Sequence, residues 1–348
     1  MERKSAHPRH PIPHHPYSRD TLHIPWISEQ SSPLQWTSIF RFVHTVRVSQ
    51  FPTWSGVFPA LTTPFRQDLS IDYPALEKHL EVLIDSGVTG FVMHGSLGEN
   101  LALTWEEKLE VLRVTQKVSA GRVPVLSGVA ECSTMQAVEY TRKCEAMGVD
   151  GIMLMPAMVY RADNDEALAH YRTVAKNTSM PILIYNNPIA YHVDLTPPML
   201  EMLCNESDNF IAIKESAGDV RRITDIINHM GSRLAIFSGV DDLALESVFL
   251  GATGWVAGIG LAFPYENQKL WDLAMAGQWD EARELYRWYT PLLHLDVGLK
   301  FVQNIKMATQ ATGYCPEWVR LPRLTLSGTD RARVEKVIAD GLATRPKI

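Results

Sequence analysis

From Ser55 onward, short apolar runs alternate with longer stretches in which apolar residues recur every three or four positions. Short runs rich in β-branched and aromatic residues are typical of buried strands, whereas the three-to-four spacing is typical of helices that bury one face. Eight runs predict strands at residues 56–61, 89–93, 123–128, 151–155, 181–185, 210–213, 234–238 and 254–257.

The stretches between these runs have helical spacing and helical stop signals. Residues 73–86 place leucines on one face and are followed by Gly87, and residues 134–147 are followed by Gly148. Glycine after the last periodic residue is a common helix end. Eight strands in strict alternation with helices over about 200 residues predict an α/β fold, a (β/α)8 TIM barrel, rather than a doubly wound sheet. No GxGxxG or GxxxxGK[ST] motif follows the first strand, which argues against the usual nucleotide-binding folds.

The chain stays helical after the eighth strand, in segments predicted at 264–276, 278–293, 296–312 and 330–343. A barrel does not need this much helix to close. We therefore predict a barrel at 53–290 that carries the chemistry and a C-terminal helical bundle at 291–348, which is expected to serve packing and oligomer contact. Residues 292–296 fall between two of these helices and are interpreted as an inter-helix corner rather than a site.

Residues 1–52 differ in composition from the rest of the chain. The first 20 residues hold four histidines among four prolines, without apolar periodicity. Proline lacks the backbone N–H of regular helices and strands, so we favour a disordered extension over a metal-binding histidine tract. A secretory signal is disfavoured because no apolar segment with a small-residue cleavage site is found. An organelle-targeting role stays open.

The overall composition is that of a globular protein, with 46% apolar and 21% charged residues. A net charge of -6 argues against nucleic acid and anionic membrane surfaces as partners. The cysteines at 132, 144, 204 and 315 have neither CxxC spacing nor the density of a disulfide framework, which favours reduced thiols in the cytoplasm. No apolar run is long enough for a membrane span, and no HExxH-like spacing indicates a metal site.

Lys214 is the most informative single residue. It ends the apolar run Phe-Ile-Ala-Ile at 210–213, which is predicted to be a buried strand. Burying an ammonium group is costly unless it is paired or neutral, and burial lowers the pKa of lysine toward the neutral amine that a nucleophile needs. The alternative is a strand-terminal lysine whose amine extends into solvent, and the segment alone does not separate the two.

Catalytic groups of TIM barrels lie at the carboxyl ends of the strands. The second strand ends in a turn that contains Gly95 and Ser96, whose backbone N–H groups could bind a carboxylate. The fifth strand ends at Tyr185, a phenol one strand from Lys214, and the seventh is followed by Gly239 and Asp241. A phenol beside an amine can transfer protons to and from a forming imine.

This set of groups suits a small-molecule substrate with a carbonyl or imine carbon next to a carboxylate. The turn would bind the carboxylate, and the lysine would add to the neighbouring carbon. The protonated imine would then act as an electron sink, so that no metal or cofactor is required.

Three motifs carry a family resemblance, in matching order and spacing: GSLGE at 95–99, YNNP at 185–188 and IKES at 213–216. With them, residues 55–325 resemble the dihydrodipicolinate synthase / N-acetylneuraminate lyase family of class I Schiff-base lyases. The resemblance implies a TIM barrel, usually a homotetramer.

The resemblance also implies a role for individual residues. Lys214 would be the Schiff-base lysine, Tyr185 the proton donor or acceptor, and Ser96 the hydroxyl of the proton relay. The backbone at Leu97 and Val256 would contact the 2-oxo acid. The covalent imine through Lys214 would replace any cofactor.

Three positions depart from the synthase pattern. Ala190 stands where the synthase has an arginine that binds a second carboxylate, and Met158 stands where it has a tyrosine that reaches a neighbouring subunit. Leu97 replaces a second hydroxyl residue. Without the arginine the distal end of the substrate is expected to be uncharged, which disfavours lysine biosynthesis.

The runs YNNPIAYHVDLTP, IKESAGDVRRITDI and LLHLDVGLKFVQNIK most resemble the branch of 1-pyrroline-4-hydroxy-2-carboxylate deaminases in hydroxyproline degradation. We therefore expect ring opening on Lys214, loss of the C4 hydroxyl, and hydrolysis to ammonia and 2,5-dioxopentanoate. Tyr191, His192 and Asp241 are candidates for protonating the leaving hydroxyl, and each is equally interpretable as a loop residue. The alternatives are a pyruvate-dependent aldolase or hydratase-aldolase and, in another class, a non-catalytic ligand-binding barrel.

Overall fold

Eight parallel strands form one sheet in the computed structural model, which describes residues 51–348. Each strand overlaps one predicted run, so all eight predicted strands are confirmed. The predicted disordered extension at 1–52 and its histidines lie outside the described residues, apart from the last two positions. The strands are β1 (Gly56–Val57), β2 (Phe91–Met93), β3 (Val125–Val129), β4 (Gly151–Leu154), β5 (Ile182–Asn186), β6 (Phe210–Glu215), β7 (Ala235–Ser238) and β8 (Gly254–Trp255).

The sheet closes on itself. Strand β1 pairs with β8, and the order continues through β7, β6, β5, β4 and β3 to β2, always in parallel. A bridge between Ala60 and Val92 joins the chain after β1 to β2, and Thr89 N–H donates to the Val57 carbonyl over 2.9 Å. The fold is therefore the predicted (β/α)8 TIM barrel, followed by C-terminal helices.

Eight helices follow or lie between the strands, and four more complete the chain. The first group is α1 (Tyr73–Asp85), α2 (Trp105–Ser119), α3 (Thr134–Ala146), α4 (Asn164–Ala175), α5 (Pro188–Tyr191), α6 (Pro197–Glu206), α7 (Arg221–Met230) and α8 (Ala244–Phe249). The second group is α9 (Pro264–Met275), α10 (Trp279–Leu293), α11 (Phe301–Ala311) and α12 (Gly328–Ala343).

One predicted helix has the wrong start. The segment predicted at 296–312 is helical only from Phe301, because a short 3-10 turn at His294–Asp296 is followed by Gly298 with a φ of 107°. Such a φ is incompatible with a right-handed helix, and glycine adopts it without steric cost. The 3-10 turn at His294–Asp296 lies close to the barrel mouth, as described below.

Local signals in the sequence account for where α2 begins. Thr104 accepts the N–H of Glu107, and Glu107 accepts the N–H of Thr104, at 3.2 and 3.0 Å. This reciprocal capping satisfies two N–H groups that the helix leaves unpaired. Because α2 follows the GSLGE turn after β2, the capping box also fixes where that turn must end.

Two aromatic rings of the core, Phe58 and Phe237, pack over glycines. The rings of Phe58 and Phe237 meet edge to face, 5.1 Å between centres. A Cβ on Gly90 would lie 2.4 Å from the Phe58 ring, and one on Gly254 would lie 2.2 Å from the Phe237 ring. The interior is thus a packed core, and chemistry is confined to the strand ends.

The described residues form one compact unit, in which α10 packs against both α9 and α12. The division into a barrel at 53–290 and a bundle at 291–348 therefore stays a prediction. Across residues 51–348, no helix is both long and apolar enough to cross a membrane. In the same range no cluster of three or more metal-ligating side chains occurs, and the four cysteines are free thiols.

Candidate active site

Lys214 lies near the carboxyl end of β6 with 7% of its surface exposed. Its Nζ sits 4.3 Å from the centre of the Tyr185 ring and forms no hydrogen bond or ion pair with any residue from 51 to 348. Burial lowers the pKa of Lys214, and Asp296 in its ionised form would oppose this shift more than other neighbours would. The neutral amine is therefore more accessible here than on a surface lysine.

Gly239 leaves the space through which the Lys214 side chain passes. A Cβ at this position would lie 2.7 Å from Lys214 Cγ and 2.9 Å from Cε, and 2.0 Å from Ser216 Oγ. The Ser216 hydroxyl donates to the Gly239 carbonyl over 3.0 Å. In this structure Gly239 makes room for the Lys214 side chain. Its predicted contact with substrate stays a prediction.

Tyr185 is placed beside Lys214 by strand register. In the β5–β6 pair Tyr185 stands directly opposite Lys214, and the tyrosine is buried. Asn187 Nδ2 donates to the Tyr185 hydroxyl over 3.0 Å. Burial raises the pKa of Tyr185, so the phenol is protonated at neutral pH and available as a proton donor.

Ser96 and Tyr191 meet across the barrel mouth. Their hydroxyls form a hydrogen bond between the turn after β2 and the end of α5. The Tyr191 ring packs edge to face on Tyr185 with 5.7 Å between centres. The structure thus places Tyr191 between Ser96 on one side and Tyr185 with Lys214 on the other.

The turn at 95–98 presents unpaired donors. Among residues 51–348, no acceptor bonds the backbone N–H groups of Ser96, Leu97 or Gly98. Glu99 has a φ of 54°, a left-handed conformation that closes the turn. Three successive free N–H groups form a site suited to a carboxylate. The Leu97 side chain is buried, so that its backbone N–H is the group it could offer to a carboxylate.

The turn at 95–98 is fixed by contacts with α11 and with the segment that follows α11. Glu99, fully buried, accepts hydrogen bonds from Lys306 Nζ on α11 and from the Arg320 N–H at 3.0 Å. Asn100 Nδ2 donates to the His94 carbonyl over 2.7 Å. The glutamate of the GSLGE motif therefore fixes the turn through Lys306 and Arg320 and forms no bond with Lys214.

Asp241 and Val256 lie at the ends of β7 and β8. The Asp241 carboxylate accepts the Trp255 indole N–H at 2.9 Å and the backbone N–H groups of Gly258 and Ile259 at 3.0 and 2.7 Å. Val256 is buried, and its N–H donates to the Ser238 carbonyl over 2.9 Å. Asp241 thus ties the two strand ends together, with its oxygens occupied by protein donors.

Asp296 lies near Lys214, although the sequence analysis did not include it among the candidate site residues. It ends the 3-10 turn after α10, where a Cβ on Gly258 would come within 2.6 Å of its Oδ1. Burial, and then the charge of Asp241, raises the pKa of Asp296. The segment predicted as an inter-helix corner therefore also brings a carboxyl group to the barrel mouth. Its only signal in sequence is the Val-Gly pair that follows and interrupts the helical spacing.

The remaining residues singled out in the sequence differ in exposure and in position. Tyr191 is partly buried within the cluster, whereas His192 is exposed and caps α5 with a φ of 58°. Ala190 is exposed, and its N–H is bonded to Asn187 Oδ1 at 2.9 Å. Met158 lies in the loop after β4, with its N–H bonded to the Glu131 carbonyl at 3.1 Å.

Comparison with known proteins places the chain among one set of enzymes. The model of the dihydrodipicolinate synthetase family matches residues 53–340. The 4-hydroxy-tetrahydrodipicolinate synthase of Parabacteroides distasonis is 33% identical over 267 residues, which are 77% of this chain and 90% of that protein. The synthase of the same name from Acidobacterium capsulatum is 32% identical over 287 residues, 82% of this chain and 95% of that protein.

Solved structures agree. The 4-hydroxy-tetrahydrodipicolinate synthase from Methylacidiphilum fumariolicum SolV has a TM-score of 0.80 and 29% identity, covering 83% of this chain and 96% of that one. Dihydrodipicolinate synthase from Aquifex aeolicus has a TM-score of 0.77 and 29% identity, covering 82% of this chain and 97% of that one.

Proposed function

The chain belongs to the dihydrodipicolinate synthetase family, and we propose from this that it is a Schiff-base lyase acting on pyruvate or a similar 2-oxo acid. Enzymes of this family work through a covalent imine on a lysine and need no metal or organic cofactor. The observation that carries the proposal is the buried, unpaired amine of Lys214 against the phenol of Tyr185. A ligand-binding barrel would have no need of such an amine.

The site residues suggest how the imine would form. The free N–H groups at 96–98 would bind the carboxylate of the 2-oxo acid. The neutral Lys214 amine would add to C2 while Tyr185 donates a proton to the carbonyl oxygen, and water would then leave. The cationic imine would acidify C3–H, so that loss of this proton gives an enamine that forms a bond to an aldehyde.

The identity of the second reactant is a separate question. The relatives named above are 4-hydroxy-tetrahydrodipicolinate synthases, whereas this chain has Ala190 at the position where the synthase resemblance calls for an arginine. A partly buried carboxyl group, Asp296, lies near Lys214 instead. We propose that the distal end of the substrate carries a neutral or hydroxyl-bearing group rather than a second carboxylate.

A second candidate function is supported by the same two residues, Ala190 and Asp296. In the deamination of 1-pyrroline-4-hydroxy-2-carboxylate, a substrate with one carboxylate, the C4 hydroxyl must be protonated as it leaves. Burial raises the pKa of Asp296, which favours the protonated carboxyl that such a step needs. The family relatives favour the aldolase type of reaction, which we therefore place first.

Borohydride trapping tests the proposal. The protein incubated with pyruvate and borohydride should acquire a reduced adduct on the tryptic peptide that contains Lys214, located by mass spectrometry. Lys117, a surface lysine that is 69% exposed, serves as the internal control and should stay unmodified. Absence of an adduct on Lys214 with every 2-oxo acid tried would refute Schiff-base chemistry.

Product analysis separates the two candidates. Release of pyruvate from aldol adducts would support the lyase. Release of one ammonia per 1-pyrroline-4-hydroxy-2-carboxylate, with formation of 2,5-dioxopentanoate, would support the deaminase instead.

A further inference from the structure

The hydrogen bond between Ser96 and Tyr191 joins two parts of the chain that are 95 residues apart. One hydroxyl lies in the turn that presents the free backbone donors, and the other at the end of α5. A four-residue helix directly after β5 is more than a simple connection requires. It carries a phenol back over the barrel mouth.

The Tyr191 hydroxyl is also a neighbour of the Tyr185 hydroxyl. The two rings pack edge to face with 5.7 Å between centres. Burial raises the pKa of Tyr185, and the nearby hydroxyls, Tyr191 among them, oppose that rise. Tyr185 in turn has Lys214 Nζ 4.3 Å from its ring centre. Ser96 is thus hydrogen-bonded to Tyr191, the Tyr191 ring packs on Tyr185, and the Tyr185 ring faces the amine.

Asn187 fixes the geometry of this chain of hydroxyls. Its Nδ2 donates to the Tyr185 hydroxyl at 3.0 Å, while its Oδ1 accepts the Ala190 N–H at 2.9 Å and so caps α5. One side chain therefore links the phenol of β5 to the helix that carries Tyr191. An arrangement that served packing alone would not need both bonds.

We propose that Tyr191 is the central member of a proton relay, Ser96–Tyr191–Tyr185, which serves the reaction at Lys214 and is complete within one chain. The proposal rests on the Schiff-base function proposed above. It assigns to Tyr191 a positioning and proton-transfer role through Tyr185, and it needs no side chain from a second copy of the protein.

The proton balance of the relay is straightforward. When Tyr185 donates its proton to the carbonyl oxygen of the 2-oxo acid, Tyr191 donates a proton to Tyr185, and Ser96 donates one to Tyr191. The resulting demand for a proton moves to Ser96, at the edge of the site, where solvent meets it. No phenolate has to persist next to the substrate, which matters because burial raises the pKa of both tyrosines.

Exchange of the C3 protons of pyruvate in D2O, followed by NMR, measures this chemistry without knowledge of the second reactant. Tyr191→Phe removes one hydroxyl and keeps the ring. We expect it to slow exchange about 10²-fold or more, the scale of one acid–base group, while borohydride trapping at saturating pyruvate reaches the wild-type extent. Tyr265→Phe, which removes an exposed phenol, is the matched control and should exchange at the wild-type rate.

Chemical rescue distinguishes proton transfer from packing. Exchange by Tyr191→Phe should accelerate with the concentration of imidazole as a small general acid, whereas the wild-type rate should not. If the variant does not fold, as judged by circular dichroism, Ser96→Ala makes the same test and should slow exchange. Exchange within about twofold of wild type in the folded variant would overturn the relay. Failure of the wild-type protein to trap or exchange pyruvate would instead overturn the proposed function.

Discussion

Two buried lysines of this protein differ in whether the amine has a hydrogen-bonding partner in the protein. Lys306 is completely buried and bonds to the Glu99 carboxylate and, at 2.7 Å, to the Trp318 carbonyl. Lys214 is 7% exposed, and its amine lies over the face of the Tyr185 ring without a hydrogen bond or ion pair to any of the described residues. The first lysine has its charge neutralised by the protein, whereas the second is left without an ionic partner.

The difference shows how pairing separates structure from chemistry. A buried ammonium with a carboxylate partner is stable as an ion, and removing either member exposes the other to the full cost of burial. A buried amine without a partner is destabilised as an ion and is therefore closer to the nucleophilic form. Lys306 holds the GSLGE turn through Glu99, and Lys214 is left free to react in front of it.

The largest expected effect is on the reaction itself. Lys214→Ala should abolish turnover and borohydride trapping, because it removes the amine proposed to form the imine. The free energy of unfolding should not fall, since an unpaired buried charge contributes little stability. Urea denaturation and an activity assay measure the two quantities, and clear destabilisation of the variant would contradict the view that this amine lacks a partner.

Tyr185→Phe is expected to have the next largest effect. The loss of one proton donor should lower kcat about 10²–10⁴-fold, while the ring that packs against Lys214 is retained. Trapping with pyruvate should still be detectable after long incubation. Unchanged kinetics in a folded variant would remove Tyr185 from the mechanism.

The opposite pattern is expected for the paired lysine. Lys306→Ala leaves the Glu99 carboxylate buried without its partner and should cost about 3–5 kcal/mol of unfolding free energy. Lys117→Ala breaks an exposed pair with Glu77 and should cost at most about 1 kcal/mol. Urea denaturation of both variants measures the difference. Equal losses of unfolding free energy in the two variants would show that burial of the Lys306–Glu99 pair does not increase its contribution to stability.

A compensating change sharpens this third test. Replacing both partners, as Lys306→Met with Glu99→Gln, should recover part of the stability that Lys306→Ala loses, because no unpaired charge remains. A double variant less stable than Lys306→Ala would contradict the view that the unpaired Glu99 carboxylate causes the loss.

The smallest expected effect concerns a buried carboxyl group whose partners are neutral. Glu215 follows Lys214 and is bonded by Asn186 and the Ala217 N–H. Burial raises the pKa of Glu215 from 4.5 to about 7. The folded protein therefore binds this proton more tightly than the unfolded chain. Its contribution to stability is complete below pH 4.5 and is lost as pH rises through about 7.

Glu215→Gln should remove this part of the pH dependence. The gap between variant and wild-type unfolding free energies should change by up to about 3 kcal/mol between pH 4.5 and 8, by the linkage of pKa to stability. Glu284→Gln, at an exposed position, is the control, and parallel stability curves for Glu215→Gln and the wild type would contradict the prediction.

Most of the fold followed from local patterns. All eight strands were predicted because each is a short run of β-branched and aromatic residues between turn residues, and the register of β5 and β6 confirmed that Tyr185 and Lys214 are neighbours. The start of α11 was wrong because helical spacing of apolar residues continued through Gly298, whose backbone conformation the pattern does not encode.

The site was predicted only in part. Ser96, Tyr185 and Lys214 were expected to lie at one end of the barrel because strand ends converge there by geometry, and their catalytic roles stay predictions. Asp296 was missed because it follows β8 by about 40 residues and reaches the mouth only through the packing of α10 and the 3-10 turn after it. The binding role assigned to Asp241 stays a prediction, now with its oxygens bonded to residues 255–259.

By itself the sequence determined the alternation of strands and helices, the family motifs and the residues at the strand ends, because these depend on neighbours within a few positions of the chain. Only the tertiary structure decided which buried amine has a partner, that Tyr191 bonds to Ser96, and that Asp296 lies at the barrel mouth. Those contacts join segments separated by tens to hundreds of residues, and burial, which sets the pKa of each group, exists only after such segments have packed.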